Sequence, residues 1–255
     1  MTHELRAITL VLASQRSGST LLCRDIESLG GMGAPREYFL DIVGRSARNG
    51  LTEADVLDRI ARGVKPEAPG IGAVKLMVSY APRIDSYIRG AEAVAPQKAV
   101  QNIIDWAQER FDRVNLIALV RGNSLEQAIS RAVANMTDVW HRHEAGMKDG
   151  NPYAGAKLPT RALNLAILEA LPGVIRQTGV IRHIVRANPD LCGLIKYEHL
   201  AASLEDSSAQ LIAHARKVGF EPTETVATRS LQKLIDKDST EVFKANFKAF
   251  MKRHL

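Results

Sequence analysis

The sequence predicts an α/β fold in which a parallel β-sheet is flanked by helices, and three observations carry that prediction. Short, nearly unbroken apolar runs recur at Arg6–Ala13, Ala73–Val78, Val114–Val120 and Leu191–Tyr197, and a run without polar alternation suits a strand covered on both faces. Segments of helical periodicity lie between those runs, the alternation that builds parallel sheets through crossover helices. The first run stops at Ser14-Gln-Arg-Ser-Gly-Ser-Thr20, a polar stretch with one glycine, and a helical pattern starts directly after it. Strand, short glycine loop and helix make the opening of a βα unit.

The remaining elements follow in order. Leu21, Leu22, Ile26 and Leu29 share one helical face that Gly30 and Gly31 bring to an end. A second helix opens at Thr52-Glu-Ala-Asp55, close to a capping box, and runs to about Arg62. Pro66, Pro69, Gly70 and Gly72 mark a loop before the second strand, and amphipathic helical segments follow over Arg83–Arg89 and Ala99–Phe111. The strand Val114–Val120 ends in Arg121-Gly-Asn-Ser124, after which Leu125, Ala128, Ile129, Ala132 and Val133 line one face of a long helix. Ala145–Pro159 holds three glycines and two prolines in fifteen residues, a long loop of the kind that usually binds something or lacks order. Periodicity then predicts helices over Arg161–Leu171 and Gly173–Ala187, broken at Pro172, and further helices over Asp206–Val218 and Thr240–Lys252. The loop at 145–159 is a candidate boundary, but the strand after it completes the same sheet, so one domain over residues 1–255 is expected.

Composition narrows the function classes. The 255 residues are 45% apolar and 24% charged, with a mean hydropathy of -0.11, which argues against disorder and against a membrane protein. Ala7–Ala13 is far too short to span a bilayer, and Arg16 follows it with no small-residue cleavage pattern, so it does not read as a signal peptide. Cys23 and Cys192 sit in apolar surroundings without a CxxC and read as reduced core thiols, which fits the cytosol. His141 and His143 lie two apart with no evident third ligand, so no metal site is expected. A net charge of +6 and an isoelectric point near 9.4 point to an anionic partner. Nucleic acid would require a basic stripe interleaved with aromatics, whereas aromatics are only 5% and the basic residues are scattered.

Two places in the chain suit a small anion. Ligands of open α/β sheets bind at the carboxyl ends of strands, beside helix N-termini. In Gln15-Arg-Ser-Gly-Ser-Thr20, Gly18 lets backbone approach backbone so that successive N–H groups converge on one anion. Ser17, Ser19 and Thr20 add hydroxyl donors, and Arg16 adds a planar fork matched to phosphate or sulfate. A triphosphate P-loop would need GxxxxGK followed by Ser or Thr, and a dinucleotide site GxGxxG; neither is present. Arg121 at a strand end and Ser130 in the next helix form the second candidate clamp, the plain alternative being a strand-end arginine and a helix-surface serine.

Leu10-Val-Leu-Ala-Ser-Gln-Arg-Ser-Gly-Ser-Thr-Leu-Leu22, followed by Gly33-Ala-Pro-Arg-Glu-Tyr-Phe39, closely resembles the bacterial trehalose 2-sulfotransferase-type carbohydrate sulfotransferases. Val74-Lys-Leu-Met77, Val120-Arg-Gly-Asn-Ser-Leu-Glu-Gln-Ala-Ile-Ser130 and Thr137-Asp-Val-Trp140 continue the resemblance in order, and Lys196-Tyr-Glu-His-Leu200 looks like the tyrosine-bearing strand end of sulfotransferases. The resemblance implies a nucleotide-kinase-like P-loop sulfotransferase fold, the donor 3′-phosphoadenosine 5′-phosphosulfate, no metal, and a homodimer. It assigns Gln15, Arg16, Ser17, Gly18, Ser19 and Thr20 to the 5′-phosphosulfate loop, Arg121 and Ser130 to the 3′-phosphate, Glu37 to the general base, and Trp140 to adenine or pocket packing. The acceptor implied is a carbohydrate or glycolipid hydroxyl. Tyr38 and Phe39 beside the base are candidates for stacking on a sugar face, with core packing as the alternative. Lys75, near a strand end, is a candidate for facing the sulfonate or acceptor, with a surface role as the alternative. The family pattern has an acidic residue where this chain has Ala34, and Arg36 and Tyr38 also differ, so donor chemistry is read more firmly than trehalose as acceptor. A nucleotide kinase and a catalytically silent nucleotide-binding protein are the competing readings; the loop without lysine argues against the first, and Glu37 against the second. The tail Lys244, Lys248, Lys252 and Arg253 is expected on the basic outer face of the last helix.

Overall fold

A computed structural model of the chain describes residues 5–43, 50–138, 158, 160–229 and 237–254. The chain divides into two compact units, one of Met1–Val120 and Gln177–Arg229, the other of Arg121–Arg176 and Ser230–Leu255.

The first unit holds the sheet. Each of the four apolar runs forms a strand: β1 (Ala7–Ala13), β2 (Ile71–Met77), β3 (Arg113–Val120) and β4 (Cys192–Lys196). They pair in parallel in the order β2-β1-β3-β4. Every residue of β1 is buried, as expected for a central strand between two helical layers. Pleat alternation sends Ile8, Leu10 and Leu12 to one face with Val74, Leu76, Leu116 and Ala118. That face is covered by α3 (Glu53–Ala61), α4 (Ala81–Arg89), α5 (Pro96–Arg110) and the end of α7 (Thr160–Ala187), which contribute Val56, Ile84, Ile103 and Ile181. Ala7, Val11 and Ala13 face the other way with Met77, Ile117 and Ile195. There α1 (Ser19–Leu29) and α9 (Leu204–Lys217) bury Leu22, Ile26, Leu211 and Ile212 together with Phe220. Full burial of each such aliphatic contributes about 1.5–3 kcal/mol. The strand order reverses direction between β1 and β3, so the loop after β1 lies at a topological switch point, where α/β sheets bind ligands.

In the second unit, α6 (Ser124–Thr137), the first part of α7 and α10 (Lys237–His254) enclose their own core. Ala128, Ile129, Ala132 and Val133 of α6 pack there with Leu163, Ile167, Ala170 and Val174 of α7 and with Phe247.

Three local features depart from the sequence expectation. Pro172 does not break the helix: α7 runs unbroken from Thr160 to Ala187 with the proline inside it. An interior proline costs about 3 kcal/mol, but Ile167 and Val174 on one side and Ile181 and Ile184 on the other are each no more than 1% exposed. Their burial outweighs the lost hydrogen bond. Tyr197, expected at a strand end, instead starts a short helix, α8 (Tyr197–Ala202), and a further short helix, α2 (Leu40–Val43), follows the Glu37 segment. Lys244 is not on the solvent face of α10; its side chain is only 18% exposed. The start of α3 is as expected, with the Thr52 N–H donating to Asp55 Oδ2 at 2.9 Å. Trp140, His141, His143 and most of the 145–159 loop lie outside the described residues. Among the described residues no helix is long and apolar enough to cross a membrane.

Candidate active site

The loop after β1 is set by two residues with positive φ, Arg16 at 62° and Gly18 at 94°. Ser17 is fully buried, and its hydroxyl donates to the Ser14 carbonyl at 2.7 Å. That corrects one expectation: the Ser17 hydroxyl proton braces the turn rather than facing outward. Gly18 is required sterically as well as conformationally, because a Cβ there would sit 2.3 Å from Cδ2 of Tyr197. The tyrosine ring therefore lies against the loop glycine. Gly18 is also the N-cap of α1, which has no side-chain cap and no acidic residue in its first turn. First-turn N–H groups lack intrahelical partners and carry the positive end of the helix dipole, so Ser19 and Thr20 begin a helix terminus suited to an anion.

Lys75 and Glu37 join this terminus from β2 and from the segment beside it. Lys75 pairs in register with Val11, and alternation turns both toward the α1 face of the sheet. Its Nζ lies 3.3 Å from Thr20 Oγ1 and 3.1 Å from Glu37 Oε2. The lysine is a buried strand residue with only 5% exposure, which corrects the surface alternative. The backbone before Glu37 is anchored through Arg36: the Lys75 N–H donates to the Arg36 carbonyl at 2.9 Å, and the Arg36 guanidinium reaches Glu27 at 2.9 Å. Thr20 keeps its own hydroxyl proton to donate. Tyr80, just past β2, lies close enough to the Gln15 side chain and to Glu37 to feel both. Burial first, then the charge of Glu37, pushes the Tyr80 hydroxyl above the usual phenol range despite the opposing effect of Gln15. Burial pushes the Cys23 thiol up to about 12, with Lys75 opposing and Glu37 adding to the shift; such a thiol is inert.

The two aromatics after Glu37 differ. Phe39 is 2% exposed within the core and offers no open face to a sugar, which corrects its stacking assignment. Tyr38 is only partly buried, and its hydroxyl donates to the Ala34 carbonyl at 3.1 Å.

Arg121 and Ser130 belong to the second unit. Arg121 directly follows β3, and Ser130 lies in the second turn of α6. The Arg121 guanidinium is 3.0 Å from Glu126 Oε2, with side-chain exposures of 12% and 27%. Glu126 also accepts from Lys244 Nζ at 3.1 Å and from Asn123 Nδ2 at 2.9 Å. Asn123 caps α6 by accepting from the Glu126 N–H at 3.1 Å. Burial works against the Glu126 charge, but hydrogen bonds from Lys244 and Arg121 outweigh it and hold the carboxyl below its usual range.

Sequence reasoning missed Tyr80, the Glu126–Lys244 pair, and a buried ion pair behind the loop. Asp25 of α1 is fully buried and paired by Arg229 at 2.7 Å. Burial raises the Asp25 carboxyl, and the Arg229 hydrogen bond only partly offsets this. For Tyr80 the available signal was its place just beyond a strand on the ligand edge of the sheet. For the two ion pairs no local pattern existed. Among the described residues no three His, Cys, Asp or Glu side chains gather as metal ligands.

No curated protein matches the chain. A solved structure, the sulfotransferase domain from the Synechococcus PCC 7002 olefin synthase, is similar at 16% identity over 96% of this chain and 90% of that one, with a TM-score of 0.42. The family model described as Stf0 sulphotransferase matches residues 9–248, taking in the β1 loop, Glu37, Lys75, Arg121 and Ser130. With that match covering nearly its whole length, the chain belongs to the Stf0 sulphotransferase family.

Proposed function

We propose that the protein moves a sulfuryl group from 3′-phosphoadenosine 5′-phosphosulfate to a hydroxyl of a carbohydrate or glycolipid. The observation that carries this reading is the grouping of Glu37, Lys75 and Thr20 at the uncapped, acid-free terminus of α1. A base, a buried cation and an anion-binding helix end are what sulfuryl transfer to an alcohol needs in one place.

In the proposed reaction the acceptor oxygen attacks sulfur in line with the bond to the bridging phosphate oxygen. A new S–O bond forms while that bond breaks, and its electron pair stays on the departing adenosine 3′,5′-bisphosphate. The hydroxyl proton passes to the Glu37 carboxylate. Charge grows on the bridging oxygen, where the N–H groups opening α1 and the Arg16 fork stabilise it without reorganising. Lys75 holds the Glu37 carboxylate in position and keeps a cation beside the transferring sulfonate, and Thr20 supplies a hydroxyl donor. Tyr38 is the aromatic available to an acceptor sugar. Arg121 and Ser130 take the 3′-phosphate, as the resemblance over Val120–Ser130 implies. The reading extends to a single sulfotransferase domain over residues 1–255, to a homodimer as the sequence resemblance implies, and to the cytoplasm, which reduced cysteines fit.

Incubation with the sulfur-labelled donor and a panel of sugars and glycolipids tests the reading. Label transfer to a hydroxyl of at least one acceptor is expected. Transfer of phosphate from ATP–Mg²⁺ to the same panel, with none from the sulfate donor, contradicts it.

A further inference from the structure

We propose that Glu126 is an internal competitor for the donor's 3′-phosphate: its carboxylate occupies Arg121 in the free protein, and Lys244 draws it aside when the nucleotide arrives. The inference rests on the reading of Arg121 as a 3′-phosphate residue and adds a control on donor affinity that this reading does not contain.

The geometry argues for it. One oxygen of Glu126 meets Arg121 at 3.0 Å and the other meets Lys244 at 3.1 Å. The carboxylate is thus an anion already seated between two cations, each less than a fifth exposed. A carboxylate carries one negative charge, whereas a phosphate monoester carries about 1.5–2 at neutral pH, so a phosphate is the stronger partner for a guanidinium fork. A phosphate that takes Arg121 Nη2 must displace Glu126 from it. A 3′-hydroxyl cannot do so; a 3′-phosphate can. The displaced carboxylate is not stranded, because Lys244 and Asn123 already hold its other oxygen. Glu241 keeps Lys244 itself in place at 2.8 Å. Glu126 therefore sets how tightly a second phosphate is held without acting on nucleotides that lack one, and Glu126 and Lys244 act as positioning residues rather than catalytic ones.

Calorimetric titration with adenosine 3′,5′-bisphosphate and with AMP separates the possibilities. The wild-type protein is expected to prefer the bisphosphate, and Arg121→Ala to lose that preference. If wild type binds both nucleotides equally, the Arg121 assignment fails and the inference falls with it. Given the preference, Glu126→Gln keeps the shape and the Asn123 hydrogen bond while removing the competing charge. It is expected to tighten bisphosphate binding about threefold to tenfold, as loss of a partly exposed ion pair would allow, and to leave AMP unchanged. Lys244→Met removes the cation that draws Glu126 away from Arg121 and is expected to weaken bisphosphate binding by a similar factor, again without effect on AMP. Bisphosphate affinity that is unchanged or weakened in folded Glu126→Gln overturns the inference while leaving the Arg121 reading intact. So does a Lys244→Met protein that weakens AMP and bisphosphate alike.

Discussion

The first turns of α1 and α6 are built on one plan and left in opposite electrostatic states. Each follows a central strand of the sheet, and each has an arginine just upstream, Arg16 before α1 and Arg121 before α6. At α1 the cap is a glycine with no side chain to offer, and the first turn contains no acid. At α6 the cap is Asn123, whose side chain accepts from the Glu126 N–H, and Glu126 itself sits in the first turn against Arg121. The first turn of α1 supplies no acid, and the carboxylate near it, Glu37, comes from another segment and is paired by Lys75; the first turn of α6 carries its own acid against its arginine. Anion binding in this chain is therefore decided by which charges the local capping has already used, and the overall charge of +6 carries little of that information.

Breaking the chemistry on the α1 side should give the largest effect. Glu37→Gln retains an oxygen for Lys75 but cannot take a proton, so turnover should fall by about 10²–10⁴-fold while donor affinity is kept. Unchanged turnover would remove Glu37 as the base. The next effect is structural. Gly18→Ala places a Cβ 2.3 Å from Tyr197 at a φ of 94°, and the left-handed backbone alone costs about 1–2 kcal/mol. Thermal melting should show a loss of at least about 2–4 °C, the shift expected per kcal/mol for a chain of this size, together with weaker nucleotide binding. A neutral Gly18→Ala would mean that the loop has room the structure does not show.

The smallest effect belongs to the α6 side and depends on pH. Glu126 is held below its ordinary value of 4.5. Its charged form is thus favoured by folding, and its contribution to stability is complete above that ordinary value and lost as pH falls through the lowered one. Acid titration of stability should show part of its loss below about pH 4.5, and Glu126→Gln should flatten that part. An identical acid profile in the variant would show that the Arg121–Glu126–Lys244 cluster is energetically silent. The Gln15–Thr20 loop has no acid of its own and should contribute nothing to this slope.

The difference between the two termini also explains what was legible in the sequence. The β1 strand, the loop and α1 are contiguous, so apolar pattern, glycine and helical periodicity all fall within one window and agree. The same holds for β3, Arg121 and α6. Glu37 could be singled out only by motif, because its partner Lys75 lies on another element and the register that pairs Val11 with Lys75 is a property of the sheet. Lys244 looked like an outer-face lysine of an amphipathic helix, since its partner Glu126 is 118 residues away. Asp25 and Arg229 are 204 residues apart and gave no sign of each other. Pro172 misled for the complementary reason: a reliable local rule was overridden by burial on both sides of it.

The central claim, that this chain holds a nucleotide with two separate anionic ends, is tested most directly by thermal-shift titration with adenosine 3′,5′-bisphosphate beside AMP and ATP–Mg²⁺. A ligand that binds only the native state stabilises it by about 2.7 kcal/mol at a hundred times its Kd. The account predicts a saturable rise in melting temperature with the bisphosphate, larger at equal concentration than with AMP or ATP–Mg²⁺. A rise with ATP–Mg²⁺ and none with the bisphosphate would contradict it.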